Sequence, residues 1–480
     1  TVGVQQPIVE RMNALNLKVA KTEYDYIFSF IANQDAPYAA ILFYDDNKEV
    51  VEQIDIEAAK GENQVRVAID MLPSEAKTWG IQLTGTPVPG IGLVADHVDS
   101  TLVKPYAIVN SHPLTDQFGQ LYVMEGASNK GLSIYDIDMN KLNATPYPCA
   151  DGAAWDTPTR MAIASDGTIF VAENSVGNSG IFAIDPADPT KVTQFFAGTR
   201  DAKGVISNGG VNVGSRTAGI SIYKEGAESK LVVYNNCDQT LGYKLGNISV
   251  YNIGQEDGSI AHTWEAAPSA AYGTAGKNLA GLVNKNGQPI LTDYGFFCST
   301  LRYGGGNNSY ATSCRYYNFA EECEFSTHEE AYAPYVNGSN DGALALSADQ
   351  KYLVLPDDNN QFIVFECAWD EEGKLSVKYV ESFVHNLGAV HQLSFDYAGN
   401  LIASAANHIA RYTMPTADNT IVIPAKTALA DAKDIETGVE NVVKEATLDI
   451  NAPMYDVLGR MVDKTYKGIV IQNGQAFLLQ

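Results

Sequence analysis

Acidic and amide side chains recur at the ends of apolar runs in this chain, and they are of the types that grip hydroxyl groups. Glu125 closes "QLYVMEG", Glu173 closes "TIFVAEN", Asn236 closes "KLVVYNN", Asp293 and Tyr294 close "PILTDYG", and Asp357 falls in "KYLVLPDD". A second set stands at or just before other strand-like runs: Trp155 ahead of Arg160, then Arg216, Asn340 and His391. Carboxylates and amides hold sugar hydroxyls in paired hydrogen bonds, and aromatic rings offer the flat apolar faces that sugar rings need. Arg160 and Arg216 are suited instead to clamping a carboxylate. Two carboxylates such as Glu125 and Glu173 would be enough for acid–base hydrolysis of a glycosidic bond. Polar residues at strand ends also cap backbone groups and make turns. Which role they play depends on what brings them together.

A repeat positions them. A short strand, a polar or glycine turn, an apolar strand, a gap and a third strand recur, with the apolar strand near Gln120, Thr168, Lys230, Pro289, Lys351 and Leu401. A period of about 40–60 residues with four short strands per unit is that of a β-propeller blade. In that fold the innermost strand of each blade begins on the face where the second strand ends. The two sets of polar residues should therefore converge on one mouth of a central channel, held by a rigid scaffold. The turn-then-strand signature resembles NHL- and YVTN-type propellers over roughly residues 106–424, and that resemblance implies a fold without an activity.

The first hundred residues alternate with period two, in "YDYIFSFIA", "YAAILFYD", "VVEQIDIEA", "QVRVAIDM" and "TWGIQLTG", separated by turn-rich breaks. Five or more such strands suggest an immunoglobulin- or fibronectin-III-like sandwich. The expected architecture is all-β: an Ig/FN3-like sandwich over 1–95, a six-bladed propeller over 100–424, a polar spacer over 425–450 and a small C-terminal β-hairpin unit over 451–480. The end reads "PMYDVLGRMVDKTYKGIVIQNGQAFLLQ". Tyr455, Asp456, Gly459, Arg460, Val462, Lys467, Gly468, Ile469, Ile471, Asn473 and Gly474 resemble the C-terminal sorting motif of secreted Bacteroidetes proteins. The usual basic residues at the very end are replaced by "QAFLLQ". The resemblance implies export to the outer envelope or beyond, with any leader removed ahead of Thr1.

Asp and Glu number 57 against 32 Lys and Arg, a formal charge of −25. That field repels nucleic acid and anionic membrane surfaces. No apolar run of about 18 residues appears, so no transmembrane helix is expected. An acidic channel mouth is a place where Ca²⁺ could sit; no other cofactor is expected. The cysteines form no CxxC pair, and an oxidising compartment would allow one disulfide among Cys298, Cys314 and Cys323. The aromatic stretch from Gly295 to Asp341 reads as an insertion, either leaning over the channel mouth as sugar-stacking platforms or packing a core of its own.

Two functions follow. The first is a secreted or surface propeller that binds a glycan or a partner protein at the channel mouth. The second is a glycoside hydrolase. Its sharpest form resembles six-bladed sialidases, which implies three arginines (Arg160, Arg216 and Arg302 or Arg315) around a carboxylate and a Tyr–Glu pair (Tyr294 or Tyr317 with Glu173). Sialidase blades carry Ser-x-Asp-x-Gly-x-Thr-Trp boxes; "SDGTIF" at Ser165 lacks both the spacing and the Trp.

Overall fold

The structure is a computed structural model, described for residues 8–126, 130–148, 155–175, 177–178, 180–196, 198–202, 206–208, 211–214, 217–223, 229–235, 247–253, 260–265, 288–300, 313–320, 322–327, 329–336, 343–357, 359–435, 452–456, 460–472 and 475–479. Strands β1 (Ala14–Lys21), β2 (Asp25–Ala32), β3 (Ala36–Tyr44), β4 (Val50–Ala58), β5 (Gly61–Ala68) and β6 (Thr78–Thr84) come first, followed by β7 (Gly92–Val98). Alternation along these strands turns Phe28, Phe30, Ile41, Phe43, Trp79, Ile81 and Leu83 inward. They form one core between two sheets, β1-β2-β5 and β6-β3-β4.

A series of antiparallel meanders follows. β8 (Pro105–Val109), β9 (Leu121–Glu125) and β10 (Gly131–Tyr135) make the first. β11 (Pro158–Ile163), β12 (Ile169–Glu173), β13 (Gly180–Asp185) and β14 (Asp188–Gln194) make the second. A small sheet of β15 (Thr199–Arg200), β16 (Ile206–Asn208) and β17 (Val211–Gly214) precedes the third meander, β18 (Thr217–Tyr223), β19 (Lys230–Asn235), β20 (Asn247–Asn252) and β21 (Ile260–Glu265). The fourth is β22 (Gln288–Leu291), β23 (Gly295–Thr300), β24 (Ser313–Asn318) and β25 (Cys323–Ser326). The fifth is β26 (Ala345–Leu346), β27 (Tyr352–Pro356), β28 (Gln361–Trp369) and β29 (Leu375–Val384). The last contains β30 (Val390–Phe395), β31 (Leu401–Ala405) and β32 (His408–Thr413).

Each meander shares an apolar cluster with the next. Tyr122 packs with Met161 and Val171, Phe170 with Ile220 and Val233, and Tyr234 with Phe296 and Tyr317. Phe297 and Tyr316 then cluster with Leu353 and Phe365, and Phe362 with Leu401 and Tyr412. Ile402 and Ile409 return to Ala107 and Val123 of the first meander. This closed cycle of packed sheets is a β-propeller. Its last blade takes β7 as outer strand, with His408 opposite Val98 and Thr413 opposite Gly92. The strand that leads in from the sandwich thus latches the ring.

The sandwich is finished from the other end of the chain. β33 (Thr420–Pro424) pairs with β6, and β34 (Lys433–Asp434) runs parallel to β1. Residues 420–424, grouped with the propeller by sequence, belong to the sandwich, and the propeller is inserted between β6 and β33. Local alternation gives a strand's existence but not its partner, which is why the boundary moves. At the seam, Phe118 and Tyr397 of the propeller meet edge to face at 5.6 Å against the sandwich core, and Lys426 of the sandwich pairs with Asp116 of the propeller at 2.6 Å. Arg11 donates to the carbonyls of Met414 (2.8 Å) and Pro415 (2.9 Å).

Three expectations change in the fourth blade. "PILTDYG" is its innermost strand and first turn, not its second strand, because "GFFCST" and "SCRYYN" supply β23 and β24. An apolar run followed by a polar turn looks the same in either place. The supposed insertion is therefore largely the blade itself, with Phe296, Phe297, Tyr316, Tyr317 and Phe325 buried. Cys298, Cys314, Cys323 and Cys367 are free thiols; the register puts Cys298 opposite Arg315 and Cys323 opposite Tyr317, on strands separated by β24.

The tail is a four-stranded sheet rather than a hairpin: β35 (Met454–Asp456), β36 (Met461–Val462), β37 (Gly468–Gln472) and β38 (Gln475–Leu479), ordered β36-β35-β37-β38. Its Tyr-Asp-x-x-Gly-Arg motif has a structural cause. Buried Asp456 accepts the Arg460 backbone N–H at 2.9 Å and its side-chain Nε and Nη2 at 2.7 Å each, closing the turn between β35 and β36.

Candidate functional site

At the end of β12, Glu173 has no solvent exposure. Its Oε1 accepts the N–H of Thr157 at 2.6 Å and of Ser175 at 3.0 Å, and its Oε2 accepts that of Asp156 at 3.1 Å. Glu125, at the end of β9, does the same for Val103 (2.6 Å) and Lys104 (3.2 Å). In both blades a proline, Pro105 or Pro158, opens the innermost strand directly opposite the glutamate. The carboxylate gathers the two N–H groups just ahead of that proline, where the chain turns in from the previous blade. Burial raises the Glu173 pKa above the carboxylate range, against the lowering pull of its hydrogen bonds. Each glutamate thus serves the backbone of its own blade. Pro-then-Glu, at 20 and 15 positions, was a signal in the sequence that pointed to structure.

The other mouth residues are also turned inward. Trp155 is 2% exposed and meets Phe182 edge to face at 5.4 Å within the core shared by the first two blades, so it is no sugar platform. Arg160, wholly buried, donates from Nη1 to the carbonyls of Thr159 (2.9 Å) and His391 (2.7 Å) and lies 5.8 Å from the Tyr106 ring. Gln392 accepts the Met161 N–H and donates to the Met161 carbonyl, both at 3.1 Å. These contacts run from β30 to β11 past the intervening β8. Arg160 is thus a strut between blades. His391 is 7% exposed, with its ring 6.0 Å from Tyr106. Asp357 makes a turn, accepting the N–H groups of Asn359 (2.9 Å) and Gln361 (3.0 Å). Arg216, Asn236 and Asn340 lie outside the described residues. Among the described residues no group of three His, Cys, Asp or Glu is placed to hold a metal, and no helix is long and apolar enough to cross a membrane.

Asp293 and Tyr294 lie elsewhere. They occupy the turn from β22 to β23, which in an antiparallel meander is at the opposite end of the blade from Glu173. Tyr294 is 43% exposed, and its ring runs nearly parallel to that of Trp369, at 6.4 Å and 29°. Phe319, in the β24–β25 turn, is 47% exposed and donates its backbone N–H to the Tyr294 carbonyl at 3.2 Å. Trp369, at the end of β28, donates Nε1 to Tyr316 Oη at 3.1 Å, which fixes its plane. Gly373 in the next turn has φ +80°, and a Cβ there would come within 2.4 Å of the Tyr294 ring. Asp293 is exposed and accepts a hydrogen bond from Tyr223 of the third blade. Two exposed aromatics backed by a third, beside an exposed carboxylate, form a flat rim. Phe319 and Trp369 both end third strands, a pattern hidden in the sequence by the misplaced register of the fourth blade.

No protein-family model matches the chain, and none of the curated proteins does. Solved structures do. A structural-genomics protein of unknown function from Bacteroides thetaiotaomicron is 11% identical, covers 86% of this chain and 99% of its own, and superposes with a TM-score of 0.41. A streptogramin B lyase is 12% identical over 68% of this chain and 98% of its own, with a TM-score of 0.39. A gluconolactonase from Xanthomonas campestris is 12% identical over 69% of this chain and 98% of its own, with a TM-score of 0.39. The propeller assignment rests on the strand pairing and the closed cycle of cores.

Proposed function

We propose that this chain is an exported, non-hydrolytic carbohydrate-binding propeller of six blades, which holds a sugar against the rim of Tyr294, Phe319 and Trp369. The observation that carries this reading is the exposure of Tyr294 and Phe319 on one pair of bonded turns, with Trp369 stacked behind. Exposed rings held rigidly lose little entropy on stacking, and Asp293 beside them can pair with hydroxyls. The backbone hydrogen bonds of Glu125, Glu173 and Arg160 favour a non-hydrolytic reading.

The sandwich is read as fibronectin-III-like. Its sheets β1-β2-β5 and β4-β3-β6-β33 resemble the three-plus-four strand arrangement of that fold, with β34 added beside β1 and the propeller carried in the loop before β33. Export is supported by the tail motif, whose Asp456–Arg460 turn gives it a folded form.

Retention on immobilised polysaccharides tests the proposal, run beside a reducing-sugar release assay. Binding without release is expected, weakened at least tenfold by Tyr294→Ala or Phe319→Ala and unchanged by Glu173→Gln. Sugar release, or binding that survives both aromatic substitutions, would overturn it.

A further inference from the structure

A cavity lies in the seam between sandwich and propeller, away from the aromatic rim. It encloses about 450 Å³ and is lined from both domains. On the propeller side stands Asn400, 6% exposed. Its Nδ2 donates to Asp396 Oδ2 at 2.9 Å, and its backbone N–H donates to Asp396 Oδ1 at 2.8 Å. That pairing fixes the amide's orientation and leaves Oδ1, among the described residues, a buried acceptor with no donor. Buried acceptors in this position need a partner, since one left unmet has given up its water for nothing.

Charges of both signs line the same space. Arg411 points one nitrogen, Nη1, at the Ile137 carbonyl (2.7 Å), and the rest of its planar fork remains to meet a carboxylate. Lys60 enters from the sandwich side together with Glu10, whose Oε2 accepts the Asn33 amide at 3.3 Å, and Asp138 lies on the propeller side. Ile31 and Val94 contribute apolar wall. A molecule filling this space must supply a donor to Asn400, an anion to Arg411 and Lys60, and an apolar body.

We infer that the seam cavity formed by Asn400, Arg411 and Lys60 binds a small zwitterion of amino-acid type with an apolar side chain. Its ammonium donates to Asn400 Oδ1 beside Asp138, and its carboxylate lies on Arg411 and Lys60. Because the lining comes from both domains, an occupied site ties the sandwich to the inserted propeller. Sites at domain junctions commonly work in this way.

Calorimetric titration of the full chain with L-leucine tests this, beside 4-methylpentanoate, which lacks the ammonium, and 3-methylbutylamine, which lacks the carboxylate. Saturable binding of leucine is expected, at least tenfold weaker for either analogue, with a rise in melting temperature. Lys60→Gln, at an exposed position, should weaken leucine at least threefold, and Arg411→Lys, which keeps the charge but loses the fork, at least tenfold. Near-UV circular dichroism shows that each variant is folded. Equal binding of the three compounds, or no heat with leucine up to about 10 mM, would overturn the inference. So would undiminished binding by a folded Arg411→Lys. Polysaccharide retention is read separately, so failure here leaves the aromatic rim standing, and the reverse holds too.

Discussion

The two ends of the blades treat polar and aromatic residues in opposite ways. At the mouth, Glu125, Glu173, Arg160 and Asp357 are buried, and each makes hydrogen bonds to backbone. At the turns of the fourth and fifth blades, Tyr294 and Phe319 stand out in solvent on a firmly bonded base. Just ahead of Pro105 and Pro158 the incoming chain presents N–H groups that Glu125 and Glu173 cap. In the β22–β23 turn Thr292 donates its N–H to the Gly295 carbonyl, and the Tyr294 side chain is left to solvent. Strand-end polarity therefore marks backbone need at one end of this propeller and binding capacity at the other.

Substitutions can break that contrast, the largest first. Trp155→Ala removes a buried indole from the core of the first two blades and should cost about 4 kcal/mol in denaturant unfolding, while a folded variant keeps its polysaccharide retention. If retention fell with the core intact, the mouth would be part of the site after all.

His385 comes next. It sits in the crossing from β29 to β30, is 3% exposed, packs on Phe362 at 4.3 Å, and accepts the Leu387 N–H on Nδ1 at 3.3 Å. Burial lowers its pKa to about 4. The folded protein therefore favours the neutral ring, and the stability this gives is present above the unfolded pKa near 6.5 and is lost as pH falls toward 4. The full loss is about 3 kcal/mol. His385→Phe should flatten the unfolding free energy between those pH values, and an unchanged slope would place the acid sensitivity elsewhere.

Glu173→Ala should cost about 2–3 kcal/mol, because three backbone N–H groups lose their acceptor. Glu173→Gln should cost less and should alter the pH profile. The raised pKa means that the carboxyl's contribution is greatest below the ordinary carboxylate range and declines as pH rises through its folded pKa. Wild type should thus lose ground to the amide on going from acid to neutral pH, measured by paired urea melts. A constant gap would show that folding leaves the carboxyl's pKa unshifted.

The smallest effect on stability sharpens the contrast most. Tyr294→Ala and Phe319→Ala should each change unfolding free energy by about 0.5 kcal/mol or less, while removing carbohydrate retention. A large loss of stability would make the rim another piece of scaffold.

How much of this was legible depended on whether the cause was local. β2, β3, β4 and β6 follow the alternating runs closely, and five of the apolar second strands (β9, β12, β19, β27 and β31) lie where the repeat put them. The fourth blade was misread because "PILTDYG" satisfies the same pattern as a second strand. The pairings of β7 with β32 and of β33 with β6 were invisible, since nothing in a strand's own residues names a partner hundreds of positions away. Glu125 and Glu173 do end their strands, but burial decides what they do there. Among the described candidates only Asp293 and Tyr294 stand exposed at the rim, which Phe319, from the crowded aromatic stretch, and Trp369, from the next blade, complete.

The insertion also sets a timetable for synthesis. β6 waits for β33 and β7 for β32, and Thr84 bonds to Thr420 across 336 positions of chain. At ribosomal speeds of about 5–20 residues per second, the two early strands spend on the order of tens of seconds with open edges, the hazard that sheet proteins otherwise keep covered. The sandwich emerges first yet is completed only after the propeller it holds, so neither domain can be released as a finished unit before the other.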